Sequence, residues 1–502
     1  MNRALALATA VVFMASLLAL ATHASFETTT AATTGVGAGV APAETPTGDA
    51  GATDATTATT QAGAVATASP SRPAGSRARA ATGAAASSIP VPALVSKTKL
   101  PAAGPGITDT EVQIGVEVLT NVGAAYAAVG YKGVVPTDQQ LKDVVDAIAD
   151  AINRRGGIAG RKMVPVMHFT DITAGTADTR GQTACSYFTE DHHVFAVVGQ
   201  GNHGDAFSSC LAQRHVPFVD DANSWALDDA DLGRLAPYVW EPGKLSLSRF
   251  GAYIDSLASA GYFGPGSKVG LLRYDSSNQA RARDTVIIPA LQRHGLKLAD
   301  DFAFSVAQSV SDLSITAAQA TNAAVRFRGS GIDHVIFLPS AGVITTVFPV
   351  AAEDQHYRPR YGLDTMELPY NMTSNSPPGQ LDNAILVGWS ASPDRGPSFV
   401  NDSNPLWAYC RAVMREHGTL EAGAYGCSPY FFLQEALARA TEASALGIRA
   451  GADKLGRTLW SVGSYGTNIR PQHYDGTGAV VIHHFDGGCG CFLPNGGGSE
   501  IP

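Results

Sequence analysis

The sequence predicts an α/β protein with two Rossmann-like lobes, each a parallel sheet flanked by helices, joined by a multi-strand hinge. Three observations carry this prediction. Short runs of branched apolar residues alternate with longer stretches of helical period. The alternation pauses near residue 240 and then starts again. The part of the chain able to form a core, 106–502, is long enough for two ordinary domains.

The chain of 502 residues opens on a different kind of sequence. Asn2 and Arg3 precede an almost wholly apolar run from Ala4 to Ala21, and small residues follow at Thr22 and Ala24. This is the pattern of an export signal cleaved after Ala24. The run also approaches the roughly 20 residues that span a bilayer, so an uncleaved membrane anchor is the other reading. No cysteine occurs before Cys185, which leaves nothing to acylate beside the signal. Residues 25–105 are mainly Ala, Thr, Gly, Ser and Pro. Such a stretch buries too little apolar surface to offset the entropy of ordering it, so a disordered tether is expected. The division is therefore 1–24 signal or anchor, 25–105 linker and 106–502 folded body. The first lobe lies mainly in 106–240 and the second mainly in 241–365, with the remainder shared.

Val112–Leu119 is rich in branched residues and reads as the first strand, followed by a loop. Thr137 and Gln140 have capping-box spacing, and Leu141, Val144, Val145, Ile148 and Ile152 share one helical face that ends at Gly156 and Gly157. Strands at Met163–Phe169, Val194–Gly199 and Pro217–Asp220 alternate with helices near Thr179–Thr189 and Ala206–Arg214. Tyr238–Lys244 reads as the first crossover. A helix at Leu247–Ala260 precedes strands at Lys268–Leu272, Phe302–Ser305 and His334–Leu338, with helices near Ala280–His294 and Ile315–Arg328 between them. A strand at Ala384–Trp389, helices near Pro405–His417 and Pro429–Thr441, and a final strand at Ala479–Phe485 complete the pattern.

The formal charge of -9 is spread among interspersed acidic and basic residues, which argues against a nucleic-acid partner. No G-x-S-x-G elbow, P-loop or H-E-x-x-H occurs, and Gly199–Gly204 lacks dinucleotide spacing. The expectation is a non-enzyme without a cofactor or metal. In open α/β sheets, ligands bind beyond the carboxyl ends of the strands, where loops and helix N-termini point free N–H groups outward. That rule nominates Asn121 after the first strand, Gln200, Asn202 and His203 after the third, and Ser224 after the fourth. In the second lobe it nominates Tyr274, Ser340, Asp364, Thr365 and Glu367. Asn202 and His203 equally fit a helix cap, Tyr274 fits core packing, and the pairs His192-His193 and His483-His484 read as surface residues.

Four ordered stretches carry a family resemblance: IGVEVLTNVGAAYAAVG at 114–130, AIADAINRRGGIAGRKMVPVMHFTD at 147–171, VFAVVGQGNHGDAFSSC with VPFVDDANS at 194–224, and the terminal AVVIHHF. Together they resemble the leucine/isoleucine/valine-binding family, the type I periplasmic solute-binding proteins of ABC transporters. The resemblance covers roughly Ile107 to Phe492. It implies a ligand carboxylate held by hydroxyls and free amides after the third strand, where this sequence offers Asn202 and His203 and no hydroxyl. Ser224 matches the second such hydroxyl, and Asp364 or Glu367 matches the acidic residue that receives a ligand ammonium.

All six cysteines lie in the folded body, and an even count behind an export signal favours disulfides. Cys185 and Cys210 fall on consecutive helices where the family often has a bond; closing that loop contributes about 3–4 kcal/mol in the chain-entropy model. Cys410 and Cys427 are placed to pair in the same way. Cys489 and Cys491 read as a small disulfide ring, as cross-partners of Cys410 or Cys427, or, with His483 and His484, as a metal site; disulfide pairing is the expectation, with its connectivity left open.

The resemblance implies a monomeric receptor outside the cytoplasmic membrane that closes around a small polar solute and delivers it to an ABC transporter permease. A tethered sensor or interaction ectodomain of the same fold is the alternative. N-terminal sequencing of the exported protein separates the two: Ser25 at the start marks a soluble receptor, and Met1 retained marks an anchored one.

Overall fold

The computed structural model describes residues 99–501 apart from 129–135, 200–203, 221–225, 397–403 and 459–463. The signal and nearly all of the expected tether lie outside the described residues. The last of that linker is held: Leu100 packs against the first core, and Ala103 N–H donates to Ala443 O at 3.1 Å.

Among the described residues the strands form two sheets. β1 (Glu111–Thr120), β2 (Lys162–Asp171), β3 (Ala196–Gly199), β4 (Phe218–Asp220) and β5 (Val239–Trp240) are parallel, in the order β2-β1-β3-β4-β5. β6 (Val269–Tyr274), β7 (Leu298–Phe304), β8 (His334–Phe337), β9 (Arg360–Asp364) and β10 (Ile385–Gly388) form a second parallel set. β11 (Ala479–Asp486), β12 (Cys491–Pro494) and β13 (Ser499–Glu500) extend it, and the path reads β12-β11-β10-β9-β8-β6-β7 with β13 on β11. The central strands are parallel as expected, and β11 and β12 are added antiparallel at one edge of the second sheet. The chain reverses at Gly487–Gly490, a turn too short for the crossover that a parallel partner requires.

Helices cover both faces of each sheet, so the central strands are apolar without alternation: from Val116 to Thr120 every residue of β1 is buried. Asp138–Arg154 is the best-signalled helix, and its Thr137–Gln140 capping box forms as expected. Gly157 ends that turn with φ +72°, and a Cβ there would meet Arg161 O at 1.7 Å. Several helices escaped the pattern, among them Val122–Ala128, Asp229–Leu235, Val343–Asp354 and Ala445–Ala452. Val122–Ala128 was expected as loop, although its alanines favour helix. Val343–Asp354 carries Pro349 and β-branched residues that disguise its period, and burial of Ile344, Phe348 and Ala352 holds it.

Residues 366–501 are divided between the lobes. Helices Pro405–Glu416, Ser428–Ala438 and Ala445–Ala452 pack into the first core, and β10 and β11 belong to the second sheet. Cys185 and Cys210, Cys410 and Cys427, and Cys489 and Cys491 stand at bonding distance, with S–S separations of 2.06, 1.82 and 1.94 Å.

The chain crosses between lobes at 241–246 and again before β11, and these two crossings run side by side. Glu241 N–H donates to Tyr474 O at 2.7 Å, and Thr477 N–H donates to Lys244 O at 3.1 Å. A charged network is buried there. Lys244 Nζ donates to Asp220 Oδ2 at 2.7 Å and Glu241 Oε1 at 3.0 Å. Arg249 donates to Asp475 Oδ2 at 2.6 Å and to Thr477 O at 2.7 Å. Lys244 is 1% exposed and Glu241 1% exposed, so removing the cation leaves two carboxylates facing each other in a low dielectric. Lys244→Ala is expected to lower unfolding free energy by about 3–5 kcal/mol, read as a lower urea midpoint with unchanged slope.

Candidate functional site

The two lobes also touch away from the crossings. Ala177 N–H, after β2, donates to Gln308 O, after β7, at 2.9 Å. β2 and β7 are the sheet edges farthest from the crossing strands. Nearer the crossings, Arg281 pairs with Asp228 at 2.6 Å and with Asp231 at 3.0 Å. The carboxyl ends of β1, β3 and β4 and of β6, β8 and β9 therefore lie between two sets of inter-lobe contacts, where the strand-end rule puts a ligand.

The first-lobe wall is polar. Glu117 on β1 is buried, and burial raises its carboxyl well above the ordinary range. Thr170 Oγ1 donates to it at 3.2 Å, the Asp220 charge pushes further up and Arg180 pulls down. Asn121 is exposed at the end of β1 with φ 56° and donates to Asp171. The Thr173 hydroxyl and N–H, each at 2.7–2.8 Å, hold the Asp171 carboxyl below its usual range. Gln200, Asn202, His203 and Ser224 lie outside the described residues. Asp220, at the end of β4, is 7% exposed and bound to Lys244.

The second-lobe candidates form one buried cluster. Ser340 donates through N–H to Glu367 Oε1 at 2.6 Å and through Oγ to Glu367 Oε2 at 2.5 Å. Tyr274 OH donates to Ser340 O at 3.4 Å. Asp364 Oδ1 accepts the Met366 N–H at 2.7 Å, capping the turn that turns the chain out of β9. Thr365 Oγ1 donates to Asp394 Oδ1 at 2.8 Å and accepts the Trp389 N–H at 2.7 Å. Asp364 Oδ2 and Asp394 Oδ2 find no donor among the described residues. Tyr274 takes the core-packing alternative: its ring is 2% exposed, because β6 is an interior strand buried at all six residues. Ser340, Asp364, Thr365 and Glu367, each at most 1% exposed, likewise face one another beneath the cleft floor in this form.

Burial sets the protonation of this floor. It raises the carboxyls of Asp364 and Asp394 well above the carboxylate range and pushes Glu367 up to about 7. The neighbouring Glu367 charge adds to the rise at Asp364. His483 belongs to the same region: it is fully buried, not a surface residue as expected, and burial lowers its imidazole to about 4. Tyr465 OH lies 3.3 Å from its Nε2 and also bonds Asp394. Sequence reasoning missed Glu117, Asp394 and Tyr465. Glu117 left a signal, a lone carboxylate inside an otherwise apolar strand. Asp394 and Tyr465 sit in segments without periodicity and left none.

No protein-family model matches the chain, and no curated protein matches it in sequence. Solved structures do match in fold. An ABC transporter substrate-binding protein from Desulfitobacterium hafniense in complex with Leu superposes with TM-score 0.51 at 17% identity, covering 77% of this chain and 100% of that one. A solute-binding protein of an ABC transporter from R. palustris with 4-hydroxybenzoate gives 0.54 at 14% identity over 78% and 96%. An ABC transporter substrate-binding protein from Aeropyrum pernix gives 0.56 at 15% identity over 78% and 97%. The fold is that of the type I periplasmic binding proteins, as the resemblance implied.

The raised carboxyls have a stability consequence with a definite sign. Between the usual carboxylate range and about pH 7, the folded chain holds protons that the unfolded chain has released. Their stabilisation is present at low pH and is lost as pH rises through that window. Glu367→Gln removes one such group, so its melting temperature relative to the parent is expected to rise steadily from about pH 5 to about pH 8. A pH-independent difference would show that Glu367 does not titrate there.

Proposed function

We propose that this chain is an extracytoplasmic solute-binding receptor that captures a small polar ligand bearing an amine or amide by hinge closure. It acts as a monomer, secreted or tethered to the outer face of the cytoplasmic membrane, and delivers the ligand to the permease of an ABC importer. It is not an enzyme. The observation that carries this reading is the meeting of two sets of strand ends between a side-by-side pair of crossings and the Ala177–Gln308 contact. A body bridged on both sides of a cleft admits solute only by opening, and a ligand touching both walls favours the closed population.

The ligand's charge is argued from the floor. Burial raises the proton affinity of Asp364, Glu367 and Asp394 side by side in this form. An ammonium arriving above them favours ionisation, so the cluster becomes a counter-charge when a cation needs one. Asn121, at the end of β1, and the residues that the strand-end rule nominates after the third and fourth strands, Gln200, Asn202, His203 and Ser224, are those we assign to the ligand's polar groups. Fold likeness does not choose the solute, since similar structures hold Leu and 4-hydroxybenzoate. Among the described residues no helix is long and apolar enough to cross a membrane. The tethered-sensor alternative rests on the linker alone.

A thermal-shift screen of amino acids, amides, polyamines, sugars and aromatic acids tests the reading. A solute at about 100 times its Kd stabilises the folded chain by about 2.7 kcal/mol, and the expected hits carry an amine or amide. Asp364→Asn keeps the Met366 cap acceptor and is expected to weaken an amine hit about tenfold through the lost charge. Hits confined to aromatic acids or sugars would overturn the amine assignment, and a screen without hits would count against a receptor for these solutes.

A further inference from the structure

The three cysteine pairs are not equivalent. Cys185, Cys210, Cys410 and Cys427 are between 0% and 5% exposed and sit inside the first core. Their bonds close loops of 25 and 17 residues in sequence separation. Cys489 and Cys491 are separated by 2, at the tip of the β11–β12 hairpin, with Cys489 exposed and Cys491 partly exposed. Residues 486–490 are all exposed, so no side chain screens the bond from a reagent in solvent.

This third bond has little to do for stability. The entropy a cross-link removes from the unfolded chain grows with the loop it closes, and a loop this small removes least. The hairpin is already held without it. Gly490 N–H donates to Asp486 O at 2.8 Å, and Asp486 Oδ1 accepts the Gly488 and Cys489 N–H groups at 2.7 and 3.0 Å. Behind the turn, Asp486 pairs with Cys491 and Phe485 with Phe492, whose rings meet at 5.5 Å over the second core. Gly490, between the cysteines, takes φ +63°, the left-handed conformation that lets the two sulfurs meet across one residue. A bond that is exposed, locally closed and unnecessary to its hairpin matches the labile class of disulfides and not the structural one.

We propose that Cys489–Cys491 is a reversible thiol–disulfide exchange site facing solvent, whose reaction partner is an external dithiol, while the other two bonds are structural. A thiolate of the dithiol attacks the exposed Cys489 Sγ. The Sγ–Sγ bond breaks and Cys491 leaves as thiolate, taking a proton from water. The second thiol of the partner, as thiolate, attacks its own sulfur in the mixed disulfide and releases Cys489 as thiolate. Two electrons pass from the dithiol to the cystine, and the partner departs as its disulfide. The hairpin remains in place because its ladder and turn bonds do not involve the sulfurs.

The test is graded reduction of the folded, full chain with dithiothreitol, followed by alkylation and peptide mass spectrometry. Cys489 and Cys491 are expected to become alkylated at a reductant concentration about tenfold below that needed for the other four. Circular dichroism should stay unchanged, and the bond should re-form once the reductant is replaced by oxidised glutathione, which takes up the two electrons and leaves as two thiols. The Cys489→Ser, Cys491→Ser double variant is expected to lose that first pair of thiols and keep the parental melting temperature. Simultaneous reduction of all three bonds, survival of Cys489–Cys491 beyond the others, alkylation of the pair without reductant, or a large drop in the variant's melting temperature would each overturn the proposal.

Discussion

The rest of the molecule depends on the buried contact of Lys244 with Asp220 and Glu241. Asp220 ends a strand of the first sheet, Glu241 begins the crossing, and Lys244 continues it toward the second lobe. Burial opposes the charge on Lys244, but the two carboxylates outweigh it and hold the ammonium above its usual range. Glu241 is pushed up to about 7 by burial, with Lys244 pulling against the rise. Polar bonds with fixed directions suit a crossing because they specify its path where apolar packing would allow slippage. Arg249 and Asp475 repeat the device on the returning segment.

From that fixed crossing the lobes present their strand ends to each other, and both ends are lined with carboxyl groups withdrawn from water. Glu117 on one side and Asp364, Glu367 and Asp394 on the other all have raised proton affinity from burial. Burial disfavours the charged form of each of these groups, and a nearby cation would favour it.

Sequence patterning made most of this fold legible. The Thr137–Gln140 box, the strand Val112–Leu119 and the helix from Pro405 formed close to the expected bounds, because local capping and periodicity suffice there. Val343–Asp354 was illegible, since its helix survives by burial against its own propensity. The same distinction runs through the site. The strand-end rule brought Ser340, Asp364, Thr365 and Glu367 to one place, yet their depth was hidden. Tyr274 stood open between cleft and core, and His483 was assigned to the surface, because chain position says which loop a residue occupies and nothing of what packs over it.

By itself the sequence determined the α/β alternation, the presence of two lobes and the set of loops at their facing ends, all of which follow from short-range periodicity. Tertiary structure alone decided which residues of 366–501 serve which lobe, which carboxyls share a buried cluster and which cysteines meet. Those outcomes depend on contacts between residues far apart in the chain: Arg249 with Asp475, Ala103 with Ala443 and Asp364 beside Asp394. Periodicity carries no record of such pairs, because each is fixed by the packing of two lobes that the chain enters more than once.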